Sequence, residues 1–339
     1  MRVLFVGRSG GQAGLMQEAM RRRGHRVVAV DPHAVLRDSR LLTYWAWHTG
    51  ALGLAGWVEG WLREAIGGGD HDVAFVDGGE LLSAGAVRLL QRKAGRVALF
   101  NRDNPFVARD GRRWRTLLRA LPEYDLFVTP RQSTADRAAG FGARRVLRVN
   151  FFADEAMHRP GAPTAAERAR YGSPVAFVGT WFPERGPFME TLLRRGVPLK
   201  IIGQRWERAP NYAALRQAVV PGYLGPEQYA AAVRSASIAI AMLSKGNADL
   251  QTSRSSEIPA MGVALCAERT TEHVRMYDEG EEAVFWSSAA ECAERCLSLL
   301  ADRPRLERLA AAGRRRVLRN DNWAESTLER ILTTVAADA

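Results

Sequence analysis

Short apolar, β-rich runs alternate with stretches of helical length, and this alternation occurs twice along the 339 residues. In the first half the candidate strands are Arg2–Val6, Arg26–Val30, Val73–Val76, Arg96–Phe100, Leu126–Thr129 and Val146–Val149. Helical patterns such as Gly11–Arg23, Ser83–Lys93 and Arg112–Ala120 lie between them. The strand runs are mostly continuous in apolar character, as in strands covered on both faces. Strand–helix alternation of that kind predicts a parallel, doubly wound sheet. Residues 155–173 lose the regularity and gather Pro, Gly and Ala. The alternation then restarts, with strands at Val175–Val178, Pro198–Ile202, Ser237–Ala241, Val263–Cys266 and Ala283–Trp286. Helices are expected at Glu184–Arg194, Pro226–Arg234, Ser253–Met261, Ala289–Leu300 and Arg305–Leu318. In the last stretch Trp323, Leu328, Ile331, Leu332 and Val335 share one helical face. The expected class is α/β, with two Rossmann-like doubly wound parallel-sheet domains at 1–155 and 173–320. A linker is expected at 156–172 and a terminal helix at 321–339.

Composition narrows the class. Hydrophobic residues make up 47% and charged residues 25%, as in soluble globular chains. No window holds 18 uncharged apolar residues. The opening MRVLFVGRSGG reads as a buried strand entering a turn and not as a signal peptide, so a cytoplasmic protein is expected. Cys266, Cys292 and Cys296 form no disulfide framework, and their spacing completes no metal site. Net charge is +11, but only three of the 48 basic residues are lysines. Residues 1–150 carry 24 Lys/Arg against 14 Asp/Glu, whereas the remainder carries 24 against 23. A field so lopsided attracts an anionic partner: a membrane surface, a phosphorylated lipid or an acidic polymer. Nucleic acid is not expected, because no binding motif accompanies the charge. The segment Leu41–Ile66 holds Tyr44, Trp45, Trp47, Trp57 and Trp61 with few charges. It reads either as core packing or as an amphipathic surface for a membrane or a lipid-linked acceptor.

Four constellations can carry chemistry. Gly7, Gly10, Gly11 and Gly14 follow the first strand and open a helix. They suit a nucleotide loop, a tight turn for helix packing, or the lining of an acceptor cleft. Asn101-Arg102-Asp103-Asn104-Pro105 follows a strand, where Asp103 is a candidate general base towards an acceptor hydroxyl, or else a turn residue paired with Arg102. In Ser173–Trp206 a strand ends at Gly179-Thr180 and Arg185 opens a helix, a pattern that suits a diphosphate. Gln204 and Trp206 close the next strand and are candidates for holding a base, with core packing as the plainer role for Trp206. The run Lys245–Gly262 enters a helix through Thr252 or Ser253. Glu257 is placed to accept ribose hydroxyls, Asp249 lies eight residues earlier, and Lys245 and Arg254 are candidates for offsetting phosphate charge.

From about Tyr124 onward the chain resembles the GT-B glycosyltransferases, specifically the spore-maturation-type branch with a glycosyltransferase group 1-like C-terminal domain. The matching stretches are YDLFVTP, FGARRV, VAFVGTW, ERG, LKIIGQRW, NADLQTSRSSEIPAMG, TTEHVRMYDEGEEAVFW and LAAAGRRRVLRNDNW, in that order. The resemblance implies two Rossmann-like domains facing a cleft, with the last helix returning to the first domain. It implies a nucleotide-sugar donor, with UDP as the expected nucleotide, on the C-terminal domain. There Glu257 takes the ribose position of an E-x7-E signature and Asp249 replaces its first glutamate. It maps the phosphate site to Arg185 with Arg254 or Lys245, and a D-x-P element after a strand points to Asp103 on the acceptor side, where Gly10, Gly11, Arg102 and Asn104 are candidates by their place at strand ends. It implies a metal-independent glycosyltransferase of glycan biosynthesis that needs no cofactor beyond its substrate. A nucleotide-sugar epimerase on the same fold and an inactive GT-B binding module are the alternatives.

Overall fold

The computed structural model describes residues 1–36 and 39–337. The chain divides into two compact units. The first is Met1–Asn150 with Ser244–Asp249 and Ala324–Ala339; the second is Phe151–Leu243 with Leu250–Trp323. In this division the main stretch of the first unit ends at Asn150, against the expected 1–155. The last two positions of the expected terminal helix lie outside the described residues.

The first unit holds six strands: β1 Arg2–Val6, β2 Arg26–Val30, β3 Val73–Asp77, β4 Arg96–Phe100, β5 Leu126–Thr129 and β6 Val146–Arg148. They form one parallel sheet in the order β2-β1-β3-β4-β5-β6. The apolar runs of β1, β3, β4 and β5 are buried on both faces, while the edge strands β2 and β6 are largely exposed. The terminal helix Ala324–Ala336 counts with this unit, where Glu325 meets Arg22 at 2.6 Å and Glu329 meets His25 at 2.8 Å.

The second unit holds β7 Ser173–Val178, β8 Leu199–Gly203, β9 Val219–Pro221, β10 Ala236–Ala241, β11 Ala264–Glu268 and β12 Val284–Trp286. All pair in parallel in the order β9-β8-β7-β10-β11-β12, the strand order of a Rossmann sheet. β9 has no counterpart among the strands expected from sequence. It has three residues, sits at the edge and ends on a proline, so it shows no apolar run.

Residues 156–172 are not a featureless linker. Thr164 and Glu167 form a capping box at the start of the helix Ala165–Tyr171, and His158 is buried. In the core of the second unit Cys266 Sγ lies 3.8 Å from the sulfurs of both Cys292 and Cys296. Sequence spacing had not shown that β11 brings a third thiol to this pair. The Leu41–Ile66 segment forms the helices Arg40–Thr49 and Ala55–Ile66. It buries Ala46, Val58, Leu62 and Ile66 but leaves Tyr44, Trp45, Trp47 and Trp57 exposed. Among the described residues no helix is long and apolar enough to cross a membrane.

Candidate functional site

Open α/β sheets bind ligands beyond the carboxyl ends of the strands where the strand order reverses. In the second unit that point is β7 next to β10. β7 runs out into Gly179 and Thr180, and β8 ends at Gly203, whose φ is +154°. A methyl group on Gly203 would overlap the carbonyl oxygen of Gly179, so two strand ends meet backbone to backbone there. The same carbonyl accepts the indole N–H of Trp206 at 2.9 Å. Arg205, at φ +65°, turns the chain so that Trp206 drops into the core, fully buried and edge-on to Phe177 at 5.9 Å. Trp206 therefore offers no face to a nucleotide base, and its role is packing. Trp206→Ala is expected to cost about 3–5 kcal/mol of stability, checked by urea unfolding. Gln204 stays exposed and Thr180 half-buried at the same rim.

Arg185 opens the helix Arg185–Arg194 and is 7% exposed. Its guanidinium lies over Phe182 at 4.6 Å and Phe177 at 5.3 Å, and Nη1 donates to the carbonyl of Thr180 at 2.7 Å. Nε is buried and without a partner. Burial, then the charge of Arg254, lower its pKa to about 10, which leaves it protonated at neutral pH. Arg254, at the start of the helix Arg254–Ala260, donates from Nε to the carbonyl of Val178 at 3.0 Å and lies over Tyr229. Among the described residues neither guanidinium forms a salt bridge. Two neighbouring cations at a strand end are an arrangement whose chemistry suits an anion.

Glu257, three residues along the same helix, is 5% exposed. Its Oε1 lies 4.0 Å from Nε2 of the buried His158. Nδ1 of that ring accepts the Asp154 N–H at 2.9 Å, so Nε2 carries the hydrogen that faces the carboxylate. Burial, with Glu257 adding to it, pushes the Tyr229 hydroxyl well above its usual value. His158 and Tyr229 were not legible as site residues, because one lies in the supposed linker and the other on a separate helix. The start of the Glu257 helix is held from below. Tyr277 Oη donates to the Ser255 carbonyl at 2.6 Å, and the Ser255 hydroxyl meets His273 Nε2 at 2.8 Å. The His273 Nδ1 hydrogen goes to the Glu268 carbonyl, and burial lowers this ring's pKa, keeping it neutral. Ser253 occupies the N-cap position in helical conformation without capping by its side chain. The Thr252 N–H is taken instead by Ser255 Oγ at 3.1 Å.

The remaining candidates lie in the first unit. Asp249 belongs there with Lys245, on the segment Ser244–Asp249. Asp249 accepts from Arg131 Nε at 2.5 Å, and burial raises its pKa despite that partner. Its carboxylate is thus engaged by Arg131 in this structure. Lys245 is exposed on the same segment. Arg102 donates two hydrogen bonds to Asp77, at 3.0 and 2.8 Å, and a third to Gln12. Asn104 is buried, its Oδ1 accepting from Phe106 N–H and its Nδ2 donating to the Asn247 carbonyl. It holds the loop and does not face outward. Asp103 remains reachable, with its side chain 38% exposed, 3.5 Å from Arg113. Gly10 and Gly11 border open space, and Gly11 at φ +61° requires glycine's freedom. Sequence reading missed a polar cluster beside them. His33 meets Asp31 at 3.1 Å and Glu80 at 3.3 Å, and Arg113 meets Glu80 at 3.0 Å. Burial alone would lower the pKa of His33, but its bonds to the two carboxylates raise it. Burial would raise that of Glu80, but His33 and Arg113 hold it far below the usual carboxylate range.

Comparison with known proteins follows the same lines. Residues 185–333 match the glycosyl transferase-like family. No curated protein matches the sequence. Among solved structures, sucrose-phosphate synthase from Thermosynechococcus elongatus superposes with a TM-score of 0.65 at 12% identity, covering 100% of both chains. HepE from Anabaena, in complex with UDP and glucose, gives 0.67 at 11% identity over 98% of this chain and 100% of its own. An E. coli structure described as trehalose-6-phosphate bound with UDP-2-fluoro glucose gives 0.63 at 13% identity over 99% of each. The chain thus has the α/β architecture of two Rossmann-like domains known from GT-B glycosyltransferases, and its residues 185–333 form a glycosyl transferase-like segment.

Proposed function

We propose that this protein is a glycosyltransferase that moves a sugar from a nucleotide diphosphate-sugar to an acceptor hydroxyl without a bound metal. The observation that carries the reading is the unpaired, buried Arg185 beside Arg254, with the buried carboxylate of Glu257 next to them, at the strand-order reversal of the second unit. In the proposed reaction the acceptor oxygen forms a bond to the anomeric carbon as the bond to the diphosphate breaks. Arg185 and Arg254 take up the charge that develops on the leaving group. Glu257 receives the ribose hydroxyls. Asp103, reachable in the first unit, is the acceptor-side candidate for the hydroxyl proton. UDP is the first nucleotide to test, since HepE binds UDP and glucose on the same fold. The excess positive charge of residues 1–150 favours an anionic or lipid-linked acceptor and a peripheral position at the inner membrane face.

The test is a thermal-shift screen of nucleotides and nucleotide sugars. A ligand at a hundred times its Kd is expected to add about 2.7 kcal/mol to the native state and to raise the midpoint by several degrees. A flat response to every nucleoside diphosphate and its sugars overturns the reading. Conversion of a bound donor in the absence of any acceptor would give the site to an epimerase instead.

A further inference from the structure

Soluble helices normally turn their apolar side inward. The helix Arg40–Thr49 does the reverse: Ala46 is its one fully buried side chain. Leu41, Tyr44, Trp45, Trp47, Leu52 and Trp57 are each 46–77% exposed, within 17 residues of sequence. All three exposed tryptophans of the described chain are here; the other six are buried or half-buried. The patch is held in place. Trp45 Nε1 donates to the Leu52 carbonyl at 2.9 Å, fixing the turn between the two helices, and Tyr44 rests on His48 with ring centroids 4.1 Å apart. An exposed apolar patch that is ordered at such cost marks a contact surface.

The sign of the surrounding charge names the partner. Residues 39–58 contain no acidic residue. The turn at Gly50 sits directly on the segment that follows β4: a methyl on Gly50 would overlap the Arg112 carbonyl and come within 2.7 Å of Arg115 Cβ. Residues 105–119 of that segment carry five arginines against one carboxylate, Asp110. Asp110 is itself buried and accepts the indole N–H of Trp114. Arg113 lies over the Trp47 ring at 4.0 Å. Among the described residues Arg112 and Arg115 have no carboxylate partner. Amphipathic tryptophan and tyrosine side chains flanked by arginines match the boundary between headgroups and acyl chains of an anionic bilayer.

We infer that the outer face of the helix Arg40–Thr49, the following turn with Trp57, and Arg112 with Arg115 form a docking surface for an anionic lipid bilayer. This deepens the peripheral-membrane part of the reading above and rests on it only for the sign of the charge. The full-length protein is mixed with vesicles of phosphatidylcholine alone or with an equal share of phosphatidylglycerol, and flotation and tryptophan quenching by brominated lipid are measured. Binding is expected only to the anionic vesicles, with quenching, and it weakens as salt rises. Leu41→Ser/Trp57→Ser and Arg112→Gln/Arg115→Gln are each expected to lower partitioning by about tenfold or more. Both variants keep the nucleotide thermal shift of the parent, so loss of docking and loss of donor binding are read separately. Absence of binding, or binding untouched by both variants, overturns the inference. So does a self-associated dimer that Leu41→Ser/Trp57→Ser dissolves while vesicles stay unbound, because the face would then belong to a second copy of the chain.

Discussion

Arg185→Met is expected to weaken binding of nucleoside diphosphates by about a hundredfold or more while leaving the protein as stable as before, or more stable. The two halves of this result have one cause. Removing a positioned donor to a leaving group costs on the order of 3 kcal/mol in binding and catalysis. In the empty protein, however, the same guanidinium is a buried charge with no salt bridge and an unpartnered Nε. Methionine fills the space beside Phe177 and Phe182 without that desolvation cost. Titration calorimetry gives the affinity and urea unfolding the stability. A fall in stability with unchanged affinity would make Arg185 a structural residue and remove the centre of the proposed site.

Glu257→Gln is expected to separate the ribose from the phosphates. The charged carboxylate accepts hydroxyl hydrogen bonds worth about 1.5–3 kcal/mol together, so affinity for UDP falls by about ten- to a hundredfold. Affinity for inorganic pyrophosphate, which has no ribose, stays near the parent value, whereas Arg185→Met weakens both. The amide keeps the shape of the side chain beside His158 and Tyr229, so the fold is retained. Equal losses for UDP and pyrophosphate would show that Glu257 acts through the helix Arg254–Ala260 and not on the sugar ring of the nucleotide.

The parts of the fold that were readable were those coded locally. Eleven of the twelve strands begin or end within a few residues of an apolar run, because burial on both faces leaves the sequence little choice there. β9 escaped because an edge strand of three residues needs no apolar pattern. The placement of Arg185 at a helix start and of Arg254 and Glu257 on the helix after β10 was legible, because strand ends and helix starts are coded locally. Contacts were not readable where a distant partner decides. Nothing near Asp249 in sequence signals its partner Arg131, 118 residues away. For Trp206 the sequence left a base platform and core packing open, and burial with the indole bond to Gly179 decides for packing. His158 lay among Pro, Gly and Ala and gave no periodic signal, although its ring faces Glu257.

The backbone contact between Gly203 and Gly179 sets limits on how this site can be altered. No atom beyond hydrogen fits between the two strand ends, and the Gly179 carbonyl is already taken by Trp206. This backbone contact is shared with the hydrophobic core through Trp206, so a side chain at Gly203 disturbs folding. The rim is different: Gln204 is exposed and Thr180 half-buried, and neither side chain holds the core together. Under the proposed function, selectivity among nucleotide sugars can drift at those two positions, in evolution or by design, while the backbone beneath them is kept.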